Sequence, residues 1–402
     1  ILLAVVLSGG GAKGAYQIGV WRALRKLNIK YDIITGTSVG ALNGAMMVTG
    51  DYKRAYKIWK NLNYDKILDN SNFNNEHDII KYYAKSFIKT GGASISSLES
   101  LVEEAVDEKK FYKSKINFGL ITVNLSKFES KAIIKKDIEK EYLKKYIIAS
   151  ATCYPFFKKK MIDDNNYIDG GFFDNLPINL AISLGATDII AIDLKAVGIK
   201  QRVKNKNVNI KYISPRNETG SFLAFESTGT RKNIQLGYND TMKSFYKLDG
   251  DKYTFKLGQL EKNYHKYFNK FINIIKELYN DDYLNKLFKF NNDKKDYNEH
   301  DIFVSFNHLI EQLGELLKIN PVPIYRIRDY NKLLKKEIVN ITSLNKHDGI
   351  KKIINMVHSE QVLKYIYELL NDNVLNNKKR IMNYDLLYSK EIFMAVYLYV
   401  IK

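Results

Sequence analysis

Two stretches near the start of the chain run through the same order: an unbroken apolar run, a glycine turn, then apolar residues at helical spacing. The first is LLAVVLS, then GGGAKG, then AYQIGVWRALRKL. The second is YDIITGTS, then VGALNGAMMVTG. An apolar run without alternation reads as a strand covered on both faces, and such strands joined through helices build parallel sheets. The expected class is therefore α/β, a mostly parallel central sheet covered by helices. Further strands are predicted at 116–125, 130–136 and 187–194, and helices at 52–62, 77–89, 97–107, 139–150 and 177–184. Pro177 suits the first turn of the last helix, where its missing N–H costs nothing.

From about residue 231 the texture changes. Residues 231–248 read as one long helix. Beyond 258 the pattern is amphipathic helix with polar breaks: 258–279, 282–290, 300–318, 329–339, 346–357, 359–371 and 386–400, with a loop or linker at 291–300. The predicted organisation is a catalytic α/β domain over 1–256 and a helical region of unassigned role over 257–402.

With 402 residues, 45% of them hydrophobic and 27% charged, the chain can bury a sizeable core and is not of disordered composition. Its net charge is +19, of which residues 1–256 carry +14 and residues 257–402 carry +5. A basic surface favours anionic partners, and the absence of a dense arginine block argues for acidic lipid headgroups over nucleic acid. The single cysteine, Cys153, rules out an intrachain disulfide and fits a reducing compartment. The opening ILLAVVL is too short to span a membrane. The chain does not open on Met, so the native start is expected upstream and an export signal there stays open.

Gly9, Gly11 and Gly14 spell GxGxxG, the dinucleotide fingerprint, which also needs an acidic residue closing the second strand to hold a ribose. Here that strand runs into Gly36-Thr37-Ser38-Val39-Gly40, and Asp32 precedes it. The alternative joins both loops. G-x-S-x-G between strand and helix is a nucleophile-elbow pattern, with glycines where larger side chains would collide. A nucleophilic serine needs backbone N–H donors aimed at the developing oxyanion, and Gly9-Gly10-Gly11 at a helix start exposes several. Lys13 adds positive charge there or serves as a surface lysine. Ser38 is thus a candidate nucleophile, with a helix-capping serine as the competing role.

A nucleophilic serine also needs a base. Of six histidines only His77 lies within 1–256, in a polar stretch, so a Ser-Asp-His triad has little support. A carboxylate is the alternative. In YIDGGFFDNLPI, Asp169 follows an apolar run and precedes Gly170 and Gly171, which permit a sharp turn into a cleft. An aspartate in a plain Asp-Gly turn fits the same spacing. Asp174 or Asn175 is positioned to cap the helix beginning near Pro177, and Asp163 and Asp164 suit a hairpin tip.

Taken together, SGGGAKGAYQIGVWRAL, GTSVGALNGA and DGGFFDNLPI, in that order, resemble the three motifs of the patatin-like phospholipases, and IIASATCYPFF (147–157) resembles the segment before the third. The similarity covers roughly residues 2–195, and 234–245 and 248–255 are similar to the tail of bacterial members. The resemblance implies a three-layer α/β sandwich and a Ser-Asp dyad, with Ser38 as nucleophile and Asp169 as base. It implies an oxyanion hole in the run Gly9, Gly10, Gly11 and Ala12, chiefly the N–H groups of the last three. Lys13 stands where many members carry Arg. Gly14, Gly36, Gly40, Gly170 and Gly171 are the supporting glycines. The implied reaction is hydrolysis of fatty acyl esters of phospholipids or other lipids, without metal or cofactor. The implied setting is a bacterium, in the cytoplasm or at the membrane periphery. A catalytically silent lipid-binding or scaffolding protein on the same fold is the rival reading.

A lipid substrate gives the basic charge a purpose. Candidate contacts with an anionic membrane surface are KKFYKSK (109–115), FFKKKM (156–161) and IKQRVKNKNVNIK (199–211). NETGSFLAFESTG (217–229), apolar at its centre, is a packed loop or a lid over an acyl groove.

Overall fold

The computed structural model describes residues 2–63, 73, 76–223, 225–279, 298–343 and 359–402. The opening apolar run forms β1 (Leu3–Leu7), and Ala4 to Leu7 are completely buried. A turn over Gly11–Gly14 leads into α1 (Ala15–Lys26). The second unit repeats the plan with β2 (Ile33–Thr37) and α2 (Val39–Thr49). There follow α3 (Tyr52–Lys60), α4 (Glu76–Thr90), α5 (Ser96–Ala105) and α6 (Glu108–Lys113). Next come β3 (Asn117–Asn124), β4 (Glu129–Ile134), α7 (Leu143–Ala151), β5 (Lys160–Ile162), β6 (Asn165–Asp169), α8 (Ile178–Ser183), β7 (Asp188–Ile192), β8 (Asn209–Ile213) and α9 (Ser227–Ser244).

These strands make one sheet in the order β5-β6-β3-β2-β1-β7-β8, with β4 added to β3. The strands β3, β2, β1, β7 and β8 are parallel; β4 and β6 run against them, and β5, antiparallel to β6, runs with them. Successive side chains of a strand point to opposite faces. Leu7, Ile34 and Phe118 meet α2 at Gly44 on one face. Ala4, Val6, Ile33, Ile189 and Ala191 pack with Ile178 and Ala181 of α8 on the other. Both faces are therefore covered, and the result is a three-layer α/β sandwich. Helices α1 and α9 cross closely, tied by the Tyr16 hydroxyl, which donates to Asp240 Oδ2 at 3.0 Å; within α9 the same Asp240 forms a buried ion pair with Lys243, also at 3.0 Å.

The chain divides into two compact units, Ile1–Ser244 and Phe245–Lys402. The sequence texture places a boundary after residue 256. In the structure, residues 245–256 serve the second unit, because β9 (Leu248–Asp249) and β10 (Thr254–Lys256) pair with each other and β10 pairs with β11 (Ile324–Tyr325). The rest of that unit is helical: Gln259–Tyr279, Glu299–Leu316, Ile327–Asn340, Ser359–Asp372, Val374–Met382 and Asp385–Val400. Its core is aromatic, with Phe255, Phe271, Phe306, Tyr330 and Tyr397 fully buried.

Several expectations shift. The helix expected at 139–150 begins as a separate 3-10 turn, Lys140–Tyr142, before α7. Pro177 sits at the cap of α8, one residue ahead of its first turn, and neither Asp174 nor Asn175 caps that helix. The short strands β5 and β8 and the helix Val374–Met382 went unread as such in the sequence. The helices expected at 282–290 and 346–357, and most of the loop at 291–300, lie outside the described residues.

Candidate active site

The site is built at one level of β3. On one edge of β3, β4 pairs with Gly119–Asn124. The other edge is shared end to end by two strands. Parallel β2 ends at Thr37, opposite Ile121. Antiparallel β6 ends at Asp169, opposite the next residue, Thr122. Two strands pointing at each other thus deliver Ser38 and Asp169, far apart in sequence, to adjacent register positions. Both side chains are buried, Ser38 at 8% exposure and Asp169 at 5%.

Ser38 is the pivot between β2 and α2. Its backbone, at φ 57° and ψ −127°, lies in a region that costs a non-glycine residue on the order of 1–3 kcal/mol. Strain of this kind is what a sharp strand-to-helix elbow demands. The flanking glycines are steric requirements. A Cβ on Gly36 would lie 2.3 Å from the Gly40 carbonyl oxygen, and one on Gly40 would lie 2.3 Å from that of Leu7. The elbow is also pinned from below: the Ser38 N–H donates to Ser150 Oγ (2.9 Å), whose hydroxyl donates to the Ile121 carbonyl (2.7 Å). Ser38 does not cap α2 through its side chain.

Asp169 closes β6. Its N–H donates to the Thr152 carbonyl (2.9 Å), and its carboxylate accepts the Gly171 N–H (2.7 Å). Burial pushes the carboxyl up to about 6; hydrogen bonds from the Ser38 hydroxyl and the Gly171 N–H pull the other way. Among the described residues, no imidazole acts on this carboxylate. His77 lies exposed at the start of α4. Gly170 packs on the carbonyl of Ile121, where a Cβ would come within 2.2 Å. Asp163 and Asp164 form the tip of the β5–β6 hairpin, as the sequence suggests.

The glycine loop is more differentiated than its sequence. The Gly9 N–H donates to the Asn175 carbonyl (3.1 Å), and the Ala12 N–H donates to the Phe222 carbonyl (2.8 Å). Gly9 and Ala12 therefore have their N–H groups engaged within the protein. Those of Gly10 and Gly11 have no acceptor among the described residues. Gly11 adopts φ 54°, with the Phe222 carbonyl lying where a Cβ would point. Gly14 packs on Val39, seating the loop against the elbow. Lys13 is half-buried. The segment over 217–229 is thus tied to the glycine loop through its own backbone.

Three residues that sequence reasoning passed over or assigned otherwise brace this arrangement. Ser150 holds the elbow. Asn175 is 2% exposed; it accepts from Gly9 and donates its N–H to the Ile199 carbonyl (2.5 Å), joining the glycine loop to the segment after β7. Asp174 accepts the N–H groups of Leu176 and Gln201 (both 3.3 Å), and its carbonyl accepts the Thr37 hydroxyl (2.7 Å). Burial raises its carboxyl to about 6 as well. Each contact is made across loops, so no local pattern announces it. Among the described residues there is no cluster of His, Cys, Asp and Glu that could hold a metal ion.

Residues 5–182 match the family model described as patatin-like phospholipase. A lysophospholipase nte1 of Aspergillus terreus is 29% identical over 210 residues, covering 48% of this chain and 12% of that protein. A patatin-like phospholipase domain-containing protein of Caenorhabditis elegans, ZK370.4, is 29% identical over 207 residues, covering 48% and 14%. The mouse patatin-like phospholipase domain-containing protein 7 is 27% identical over 192 residues, covering 48% and 13%. The match spans about an eighth of the length of these relatives. The crystal structure of VipD from Legionella pneumophila is similar at a TM-score of 0.41 and 15% identity, covering 100% of this chain and 90% of that one. Residues 5–182 are therefore similar to a patatin-like phospholipase domain.

Proposed function

We propose that the protein is a lipid acyl hydrolase of the phospholipase A or lysophospholipase type, working through a Ser38–Asp169 dyad and an acyl-enzyme. The observation that carries this reading is the meeting of β2 and β6 on one edge of β3, which sets the strained serine beside a buried, hydrogen-bonded carboxylate. Asp169 accepts the Oγ proton as Ser38 attacks the ester carbonyl. The N–H groups of Gly10 and Gly11 receive the negative charge that develops on the carbonyl oxygen. The intermediate collapses, the alcohol leaves with the proton held by Asp169, and the acyl group stays on Ser38. Asp169 then takes a proton from water, which releases the fatty acid. A carboxylate raised to about 6 suits this work, because it remains ionised at neutral pH yet is a better base than an ordinary aspartate.

A fluorophosphonate probe tests the reading. The parent should label, and Ser38→Ala should not. Asp169→Asn should remain folded while losing hydrolysis of lysophosphatidylcholine. A folded parent that neither labels nor hydrolyses any acyl ester would instead be a silent lipid-binding protein on the same fold.

A further inference from the structure

Helix α4 presents an outward face that is largely exposed. Its inner side is fixed by Ile79 and Tyr83, at 1% and 2% exposure. Its outer side carries Ile80 (52% exposed), Ala84, Phe87 (42%) and Ile88 (83%), an apolar stripe at spacings of four, three and one. Beside the stripe run Lys81, Lys85 and Lys89, all exposed and four residues apart, so they share one flank of the helix. Among the described residues none of these three lysines forms an ion pair. An exposed apolar stripe flanked by a lysine row is the make-up of a helix that lies in the plane of a bilayer interface.

The stripe is coupled to the candidate active site. Tyr83 packs edge-on against Phe156 and Phe157 (5.3 and 5.7 Å between ring centroids), and Phe87 against Tyr154 (5.9 Å). This turn carries the exposed Lys158 and Lys159 and begins at Thr152, whose carbonyl accepts the Asp169 N–H. Its Phe156 also packs on Phe222, the residue bonded to Ala12 of the glycine loop. The basic segments picked out by sequence are less available. Phe111, the aromatic of KKFYKSK, is fully buried, and Phe157 of FFKKKM is 7% exposed. Lys110 pairs with Asp51, Lys160 with Glu99 and Lys200 with Asp193.

We infer that the outer face of α4, with Lys158 and Lys159, docks the protein on an anionic lipid bilayer and brings the cleft to the surface from which substrate is drawn. The inference rests on the lipid hydrolase reading. Opposite charge selects the occupant: five exposed lysines here, on a chain of net charge +19.

The test is co-sedimentation with phosphatidylcholine vesicles, with and without phosphatidylserine, in a Ser38→Ala background so that no lipid is consumed. The parent should bind the phosphatidylserine vesicles more tightly, and salt should weaken that preference. Lys81→Gln, Lys85→Gln and Lys89→Gln together should lower that affinity roughly a hundredfold, at about fivefold per lysine. Ile80→Ser with Ile88→Ser should lower binding to both vesicle types at least about tenfold. Both variants should melt with the parent, since exposed substitutions change stability by about 0.5 kcal/mol or less. Vesicle binding at the parent level by either variant would overturn the inference. Hydrolysis of a monodisperse short-chain ester, measured with Ser38 intact, separates the two readings. It should be equal in parent and variants, and its absence from the parent would sink the hydrolase reading without altering the vesicle result.

Discussion

Each compact unit buries a polar cluster, and the two clusters are built on opposite principles. In the helical unit, Asn263, Asn331 and Tyr397 close a ring of hydrogen bonds: Asn263 Nδ2 donates to the Tyr397 hydroxyl (3.0 Å), that hydroxyl donates to Asn331 Oδ1 (2.9 Å), and Asn331 Nδ2 donates to Asn263 Oδ1 (3.1 Å). These groups satisfy one another, and the product is a specified core. In the α/β unit, the N–H groups of Gly10 and Gly11 have no acceptor among the described residues, and the Asp169 carboxylate is buried with no cation among the groups that act on it. One cluster completes its own hydrogen bonding, and the other leaves two backbone N–H groups open, the place the proposed mechanism gives to a substrate oxygen.

That contrast can be broken experimentally. The largest effect belongs to the dyad. Ser38→Ala should lower acyl ester hydrolysis at least about a thousandfold, and Asp169→Asn by about a hundred to ten thousandfold, with circular dichroism unchanged. Gly40→Ala comes next. Its Cβ would meet the backbone oxygens of Leu7 and Ser8 at 2.3 and 2.7 Å, and neither can retreat, so thermal unfolding should register a loss of about 3 kcal/mol or more together with inactivity. Third is the pH profile. Asp169 must be ionised to accept a proton, so kcat/KM should be level above about 6 and fall roughly tenfold per unit below it.

Two smaller effects sharpen the comparison. Tyr397→Phe opens the asparagine ring and should cost about 1–3 kcal/mol in unfolding, while hydrolysis of a monodisperse ester well below Tm stays within about twofold. Asp169→Asn should do the reverse for stability. The folded state holds the Asp169 proton up to about 6, above the ordinary 3.8, so it binds more protons than the unfolded chain between those values. Its contribution to stability is present at low pH and lost as pH rises through that window. Removing the carboxylate should therefore raise Tm by a few degrees at pH 8 and leave it nearly unchanged at pH 4, as calorimetry would show.

Much of the α/β unit was legible because its signals are local. An unbroken apolar run, a glycine turn and a helix period each occupy a few consecutive residues, as in Leu3–Leu7 or Val39–Thr49. The candidate nucleophile and base stood out because steric need restricts their neighbours to glycine. What stayed hidden depends on which strands abut. Nothing in NNYID announces that Asp169 stops opposite Thr122. The three-residue strand β5 carries too little pattern to read, and β8, NIKYI, reads as a charged loop because most of it is exposed. The roles of Ser150, Asn175 and Phe222 rest on five hydrogen bonds between segments far apart in sequence, four of which end on backbone carbonyls. Every residue has a carbonyl, so side-chain identity holds no trace of such a bond. In the helical unit, residues 245–256 follow a long helix with no punctuation, and only their pairing with Ile324–Tyr325 reveals where they belong.

The shared edge of β3 also sets a schedule. The proposed nucleophile, the glycine loop and the elbow all lie in the first 40 residues, but the proposed base, Asp169, arrives only when β6 has paired, and its carboxylate is held by Gly171. A chain emerging from the ribosome is chemically mute until that point, whatever its N-terminal part has already folded into. A slip of one residue in β6 would turn Asp169 to the opposite face of the sheet. Under the proposed mechanism, hydrolytic activity becomes a readout of strand register: it is expected only in molecules whose β6 has docked in the right place.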